Sequence, residues 1–136
     1  MSYPGNKGRV LFELQPLRLR VPTRERIAYI AGFFDGEGNI HIQRQGSGLR
    51  PMIAIGNTNL ESLRMIRSHL RCGSIVTGTK QKAHYKTPYL WRSCGTRDVY
   101  AFLKMVLPFL IVKRESAKDA MRTLRNRYGA ELDGSG

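Results

Sequence analysis

The stretch Ile30-Ala31-Gly32-Phe33-Phe34-Asp35-Gly36-Glu37-Gly38 decides how the chain is read. Around it, Ile27, Ile30, Ala31 and Phe34 recur at i, i+3, i+4 and i+7, the spacing of a helix with one apolar face. Pro22-Thr23 offers a cap at its start. Gly36 and Gly38 are stop signals, so the helix is expected to end near Asp35 or Gly36. Asp35 and Glu37 then fall where the helix dipole is already negative, which disfavours them by a few tenths to about 1 kcal/mol. A divalent cation reverses that sign, because carboxylates and free terminal carbonyls together make a hard oxygen site. Metal-assisted phosphodiester hydrolysis needs such a site. The spacing alone favours the plainer reading, an ordinary polar turn rich in glycine.

Ala28, Gly32 and Gly36 lie four residues apart on the same helix. A stripe of small side chains lets another backbone approach closely. Two copies of the helix packed along it would bring both acidic ends together, giving paired sites as cutting two strands requires. The alternative is that Gly32 packs against a neighbour within its own chain.

Beyond Gly38 the pattern changes from helical to alternating. Asn39 to Arg44 places Ile40 and Ile42 on one face, Gln45-Gly46-Ser47-Gly48 turns the chain, and Pro51 to Ile55 reads as the returning strand. A second amphipathic helix, capped near Thr58 or Asn59, carries Leu60, Leu63, Ile66 and Leu70 and stops at Gly73. Ile75 to Lys80 and about Pro88 to Cys94 make a second strand pair, joined by the basic loop Gln81 to Lys86. Helices are expected over Asp98 to about Leu107 and about Glu115 to Arg127, with Pro108 between them. The fold class is therefore α+β, with helices on one face of an antiparallel sheet.

Residues 22–128 form a single domain in this reading. Residues 1–21 precede it as a basic arm, of which Leu11, Phe12, Leu14, Leu17 and Leu19 could dock a part on the core. Residues 129–136 read as a flexible tail.

Charge narrows the partner. In 136 residues, 23 Lys and Arg stand against 10 Asp and Glu, a net +13 with a pI near 10.5. No carboxylate occurs between Ser62 and Arg97, where Arg64, Arg67, Arg71, Lys80, Lys82, Lys86, Arg92 and Arg97 all fall. Solubility alone rarely calls for so one-sided a balance, whereas a polyanion partner does, through counterion release. Cys72 and Cys94 show no metal-ligand spacing and read as reduced thiols inside a cell, with a single bridge left open. No apolar run has transmembrane length and no signal-peptide pattern opens the chain, so no membrane partner and an intracellular setting are expected.

These features converge on a known pattern. Ile30 to Gly38 resembles the LAGLIDADG motif of homing endonucleases, with Ala31, Gly32, Asp35 and Gly38 matching and Glu37 replacing the second Asp. The order of elements matches from near Thr23 to Arg127, as do Ile53-Ala54-Ile55-Gly56-Asn57 and Pro108-Phe109-Leu110 followed by Lys113. The resemblance implies an αββαββα saddle whose antiparallel sheets lie in the DNA major groove while the motif helices pair. It implies Glu37 and the Gly36 carbonyl as Mg²⁺ ligands, Lys113 as support around the scissile phosphate, and Asn57 near the water network. Mn²⁺ is expected to substitute for Mg²⁺, and Ca²⁺ to bind without supporting cleavage. Glu is one methylene longer than Asp, so Glu37 must reach the ion through a different rotamer.

A single motif copy implies a homodimer on a long pseudo-palindromic duplex, paired through Ala28, Gly32 and Gly36. Strand alternation turns Asn39, His41, Gln43 and Gln45 away from the core, and burying Ile53 and Ile55 does the same for Arg50, Met52 and Ala54. Amide side chains at alternate positions suit bidentate base reading. Burying Trp91 would direct Arg92 to the groove, with Lys80, Lys82 and Lys86 nearer phosphates. Two rivals share the charge: a non-cleaving protein on the same scaffold (an RNA maturase or transcription regulator), and a ribosomal or structural RNA-binding protein.

Overall fold

The computed structural model describes residues 10–12, 22–78, 82, 83 and 85–132. In chain order these form β1 (Val10–Phe12), α1 (Arg24–Glu37), β2 (Gly38–Gln45), β3 (Gly48–Asn57), α2 (Leu60–Leu70), β4 (Ser74–Thr77), β5 (Tyr89–Cys94), α3 (Thr96–Val106), a 3-10 turn at Leu107–Phe109, and α4 (Arg114–Leu132). The strands make one antiparallel sheet in the order β1-β4-β5-β3-β2, so β3 and β5 join the two hairpins into a continuous surface. The α+β architecture is the one the sequence pattern predicts.

Apolar spacing explains which faces are buried. α1 buries Ile30, Ala31 and Phe34, and α2 buries Leu63, Ile66 and Leu70. Thr23 caps α1 by accepting from the Arg26 N–H at 3.4 Å, and Asn59 caps α2 by accepting from the Ser62 N–H at 2.9 Å. Both pack on the sheet face that carries Ile53, Ile55, Ile75 and Trp91, all fully buried. Phe102 of α3 joins the layers, its ring centroid 5.0 Å from that of Phe34 and 5.7 Å from that of Trp91. Removing such a ring costs about 3–5 kcal/mol, so Phe102→Ala should break this junction.

Two glycines are required by close approach. A Cβ on Gly38 would lie 2.2 Å from the Phe34 ring, and one on Gly73, where φ is +85°, would lie 2.4 Å from the Trp91 indole nitrogen. That nitrogen donates to the Cys72 carbonyl at 2.9 Å, satisfying the only polar atom of a fully buried indole.

Several boundaries differ from expectation. α1 continues to Glu37 rather than stopping at Asp35 or Gly36, because the Gly38 N–H still closes a helical bond to the Phe34 carbonyl. β4 ends at Thr77, short of Lys80, which lies outside the described residues. Part of the expected N-terminal arm is a strand: Val10–Phe12 pairs with β4 and covers what would otherwise be an open sheet edge. The remainder of residues 1–21 lies outside the described residues. α4 runs to Leu132, into the segment expected as a flexible tail, with Tyr128 packed against the core as the physical reason. Among the described residues no helix is long and apolar enough to cross a membrane.

Candidate functional site

The carboxyl end of α1 is tied to the start of α4. Asp35 accepts hydrogen bonds from the backbone N–H groups of Ile111, Val112 and Lys113 at 2.9, 3.0 and 2.8 Å. Those amides belong to the turn that precedes α4, ahead of the helix's own first residue Arg114. Partial burial pushes the Asp35 carboxyl up, but the three amides and the Lys113 charge outweigh it, holding the group below the usual carboxylate range. Lys113 answers by donating from Nζ to the Asp35 carbonyl at 2.8 Å, a cation on the negative end of α1.

This divides labour between the two motif acids. Asp35 is consumed by structure, so a metal site built from both carboxylates is not what the fold provides. Glu37 is exposed, and among the described residues no hydrogen bond or ion pair engages it. Gly36 is exposed beside it. No group of three or more His, Cys, Asp or Glu side chains converges among the described residues, so one chain offers no closed metal cage. Mg²⁺ does not need one: it keeps several waters and takes one or two carboxylates plus phosphate oxygens. Glu37 with the Gly36 carbonyl fits that demand.

Asn57 is placed less favourably. It ends β3, two residues beyond Ile55, which pairs with Gly38. Its Oδ1 accepts from the Asn59 N–H at 2.7 Å, shaping the turn into α2. No hydrogen bond among the described residues joins it to Glu37 or Lys113.

The small-residue stripe is open. Gly32 and Gly36 are exposed, and a Cβ built on either would meet no atom within 4 Å. Packing of Gly32 inside its own chain is thereby excluded among the described residues. Ala28 is half-buried, and Tyr29 on the same face is 50% exposed. At the far end, Ile111 and Val112, held by Asp35, are 84% and 77% exposed. Charge patterning gave no hint of that apolar pair.

The outer face of the sheet carries the expected residues. Register pairs Asn39 with Ala54, His41 with Met52 and Gln43 with Arg50, and joins Ala54 to Arg92 on β5. Asn39, His41, Gln43, Gln45 and Arg50 are exposed, while Met52 and Arg92 are half-buried and Ala54, between Asn39 and Arg92, is buried rather than open. Leu90 and Cys94 share the face of Arg92 by alternation, and Ser74 lies opposite Arg92 on β4. The alternation that placed Arg92 would have located Leu90 and Cys94 as well. Lys82 and Lys86 are exposed in the β4–β5 connection, with Lys82 Nζ 5.9 Å from the centre of the Tyr85 ring.

The comparisons with known proteins bear on this geometry directly. A family model described as the LAGLIDADG-like domain matches residues 24–107. The chain belongs to the LAGLIDADG-like family. The homing endonuclease I-CvuI in complex with its target aligns at a TM-score of 0.60 with 22% identity, covering 74% of this chain and 66% of that one. The archaeal intron-encoded homing endonuclease I-Vdi141I, complexed with DNA, aligns at 0.55 with 25% identity over 81% of this chain and 70% of that one. The LAGLIDADG meganuclease I-AabMI, bound to uncleaved DNA, aligns at 0.56 with 18% identity over 79% of this chain and 40% of that one. No curated protein matches the chain by sequence.

Within the LAGLIDADG segment, each matched residue now has a physical reason. Ala31 is fully buried against the core, Gly32 leaves the outer face open, Asp35 ties down the turn before α4, and Gly38 clears the Phe34 ring. The role of Asp35 was missed by the sequence reading. No local signal marks it, because the amides it holds lie 76 to 78 residues along the chain.

Proposed function

We propose that the chain is one subunit of a homodimeric, divalent-metal-dependent endonuclease that hydrolyses both strands of a long pseudo-palindromic DNA duplex. The observation that carries this reading is the Glu37 carboxylate, without a partner among the described residues, at the end of an open small-residue helix face, with Lys113 held on the Asp35 carbonyl two residues before it. Family membership supports it. The stripe supports pairing, since close backbone approach needs an unobstructed Gly32 and Gly36. The exposed Ile111 and Val112 extend that face with apolar surface. The aligned 79% of this chain covers 40% of the I-AabMI chain, so two copies approach its size.

In this mechanism the sheet aligns the duplex, with Asn39, His41, Gln43, Gln45, Arg50, Met52 and Arg92 toward base edges and Lys82 and Lys86 toward phosphates. Lys80 is assigned to the same phosphate set from its place in the basic loop. Glu37 and the Gly36 carbonyl would hold Mg²⁺, or Mn²⁺ in its place. Such a cation supplies water activation and stabilises the departing oxygen. Lys113, oriented by the Asp35 carbonyl, contributes positive charge near the scissile phosphate. Asn57 would offer its amide N–H₂ to water, since among the described residues only its Oδ1 is engaged. No covalent protein nucleophile is required.

Selection of cleaved duplexes from a random library, run with Mg²⁺, with Ca²⁺ and with EDTA, tests the reading. Recovery of a two-fold symmetric sequence in Mg²⁺ alone is expected. Binding without cutting in every arm would instead identify a non-cleaving DNA-binding protein on this scaffold.

A further inference from the structure

The β2–β3 hairpin leaves the sheet before it ends. β5 pairs with β3 only over Met52–Asn57, so the outer half, Gln43 to Gln45 opposite Gly48 to Arg50, is a two-stranded ribbon. Two-stranded ribbons are marginally stable in water, and their register and twist are poorly fixed without further packing. The turn itself is minimal, Gly46-Ser47 with Gly46 at φ +59°.

What holds this ribbon is the end of α4. The Leu49 N–H donates to the Tyr128 hydroxyl at 2.9 Å. The Arg127 guanidinium donates to the Ser47 carbonyl, and a Cβ on Gly48 would lie 3.3 Å from the same Tyr128 oxygen. Tyr128 leaves helical geometry (φ −130°, ψ 27°), a local break that accompanies both contacts. Arg127 also lies over the Tyr128 ring, 5.5 Å from its centre.

We propose that Tyr128, with Arg127, is a positioning residue for DNA recognition: it fixes the ribbon so that Gln43, Gln45 and Arg50 discriminate the outer base pairs of each half-site. This rests on the reading surface proposed above. Gln45 lies seven strand steps from Gly38, which at about 3.3 Å per residue carries it about 23 Å from the acidic helix end. At about 3.4 Å of rise, that is roughly seven base pairs outward from the cutting centre. Asn39 and His41, close to Gly38 and backed by β3 where it pairs with β5, do not depend on the clamp.

The test is selection of bound duplexes from a random library in Ca²⁺, comparing the full chain with its Tyr128→Phe and Gln43→Ala variants, alongside amide hydrogen exchange of the free proteins. Tyr128→Phe is expected to relax outer-position preference about three- to tenfold, the worth of one hydrogen bond, while inner-position preference is kept. The Leu49 amide should exchange faster, with Ile53 and Ile55 unchanged. Equal relaxation at inner and outer positions, or none while Gln43→Ala shifts the outer ones, would overturn the positioning role alone. Outer preference unaltered by Gln43→Ala would overturn it together with the reading surface.

Discussion

Asp35 and Lys113 hold each other reciprocally: the carboxylate of the first accepts the backbone N–H of the second at 2.8 Å, and the ammonium of the second donates to the carbonyl of the first at 2.8 Å. The exchange locks the end of one helix to the start of another across 78 residues of sequence. It also holds Lys113 on the Asp35 carbonyl, two residues before Glu37. Structure and chemistry at this end of the molecule share one hydrogen-bonded junction.

Asp35→Asn should therefore destabilise the fold by about 1–3 kcal/mol, as expected for loss of hydrogen bonds to a charged acceptor. Folding lowers the pKa of Asp35, so its contribution is present above the unfolded value of about 3.9 and fades as pH falls through the folded value. Urea titrations of both proteins should diverge at pH 7 and converge toward pH 2. A constant difference across that range would mean that the ionised carboxylate is not what stabilises the junction.

The two ends of the motif should respond oppositely to added bulk. A Cβ at position 32 meets no described atom within 4 Å, so the Gly32→Leu subunit should fold normally and sediment as a monomer at concentrations where the parent is expected to dimerise. Gly38→Ala must displace the Phe34 ring, and should cost about 1–3 kcal/mol. Sedimentation velocity and thermal melts of the pair read both effects. A dimeric Gly32→Leu protein would remove the stripe from the interface.

Lys82→Ala should weaken DNA binding evenly across sequences and reduce the slope of log K against log salt by about one. Titrations at several salt concentrations on a selected and a scrambled duplex provide the check. An unchanged slope would place this lysine away from the phosphates.

The cysteines should differ in reactivity. Both are free; Cys94 is exposed, whereas burial foremost, and then the Asp98 carboxylate, push the Cys72 thiol up to about 12. A thiol reagent at pH 8 should label Cys94 alone in the native protein and both residues in denaturant. Native labelling of Cys72 would show that the core around Trp91 opens readily.

Much of this was legible in the sequence because it is periodic. Ile30, Ala31 and Phe34 at helical spacing, and Ile53 and Ile55 at alternate strand positions, are all buried as their periods require. The outward set from Asn39 to Gln45 follows from the same alternation. What escaped is long-range. No local pattern tells that Val10–Phe12 adds to the β4 edge, or that the Asp35 carboxylate holds the turn before a helix far along the chain. The end of α4 was likewise set by Tyr128 reaching Leu49, a contact 79 residues apart. Lys113 could be singled out only by its place in a family pattern, since a lysine at a helix start is otherwise unremarkable.

The most direct test of the central claim is Glu37→Gln, which keeps the length of the side chain and removes its charge. Glu37 has no partner among the described residues, so the variant should fold and bind DNA like the parent. Cleavage of a selected duplex in Mg²⁺, measured beside binding in Ca²⁺, should fall to the level seen in EDTA. Full Mg²⁺-dependent cutting by Glu37→Gln would contradict the account.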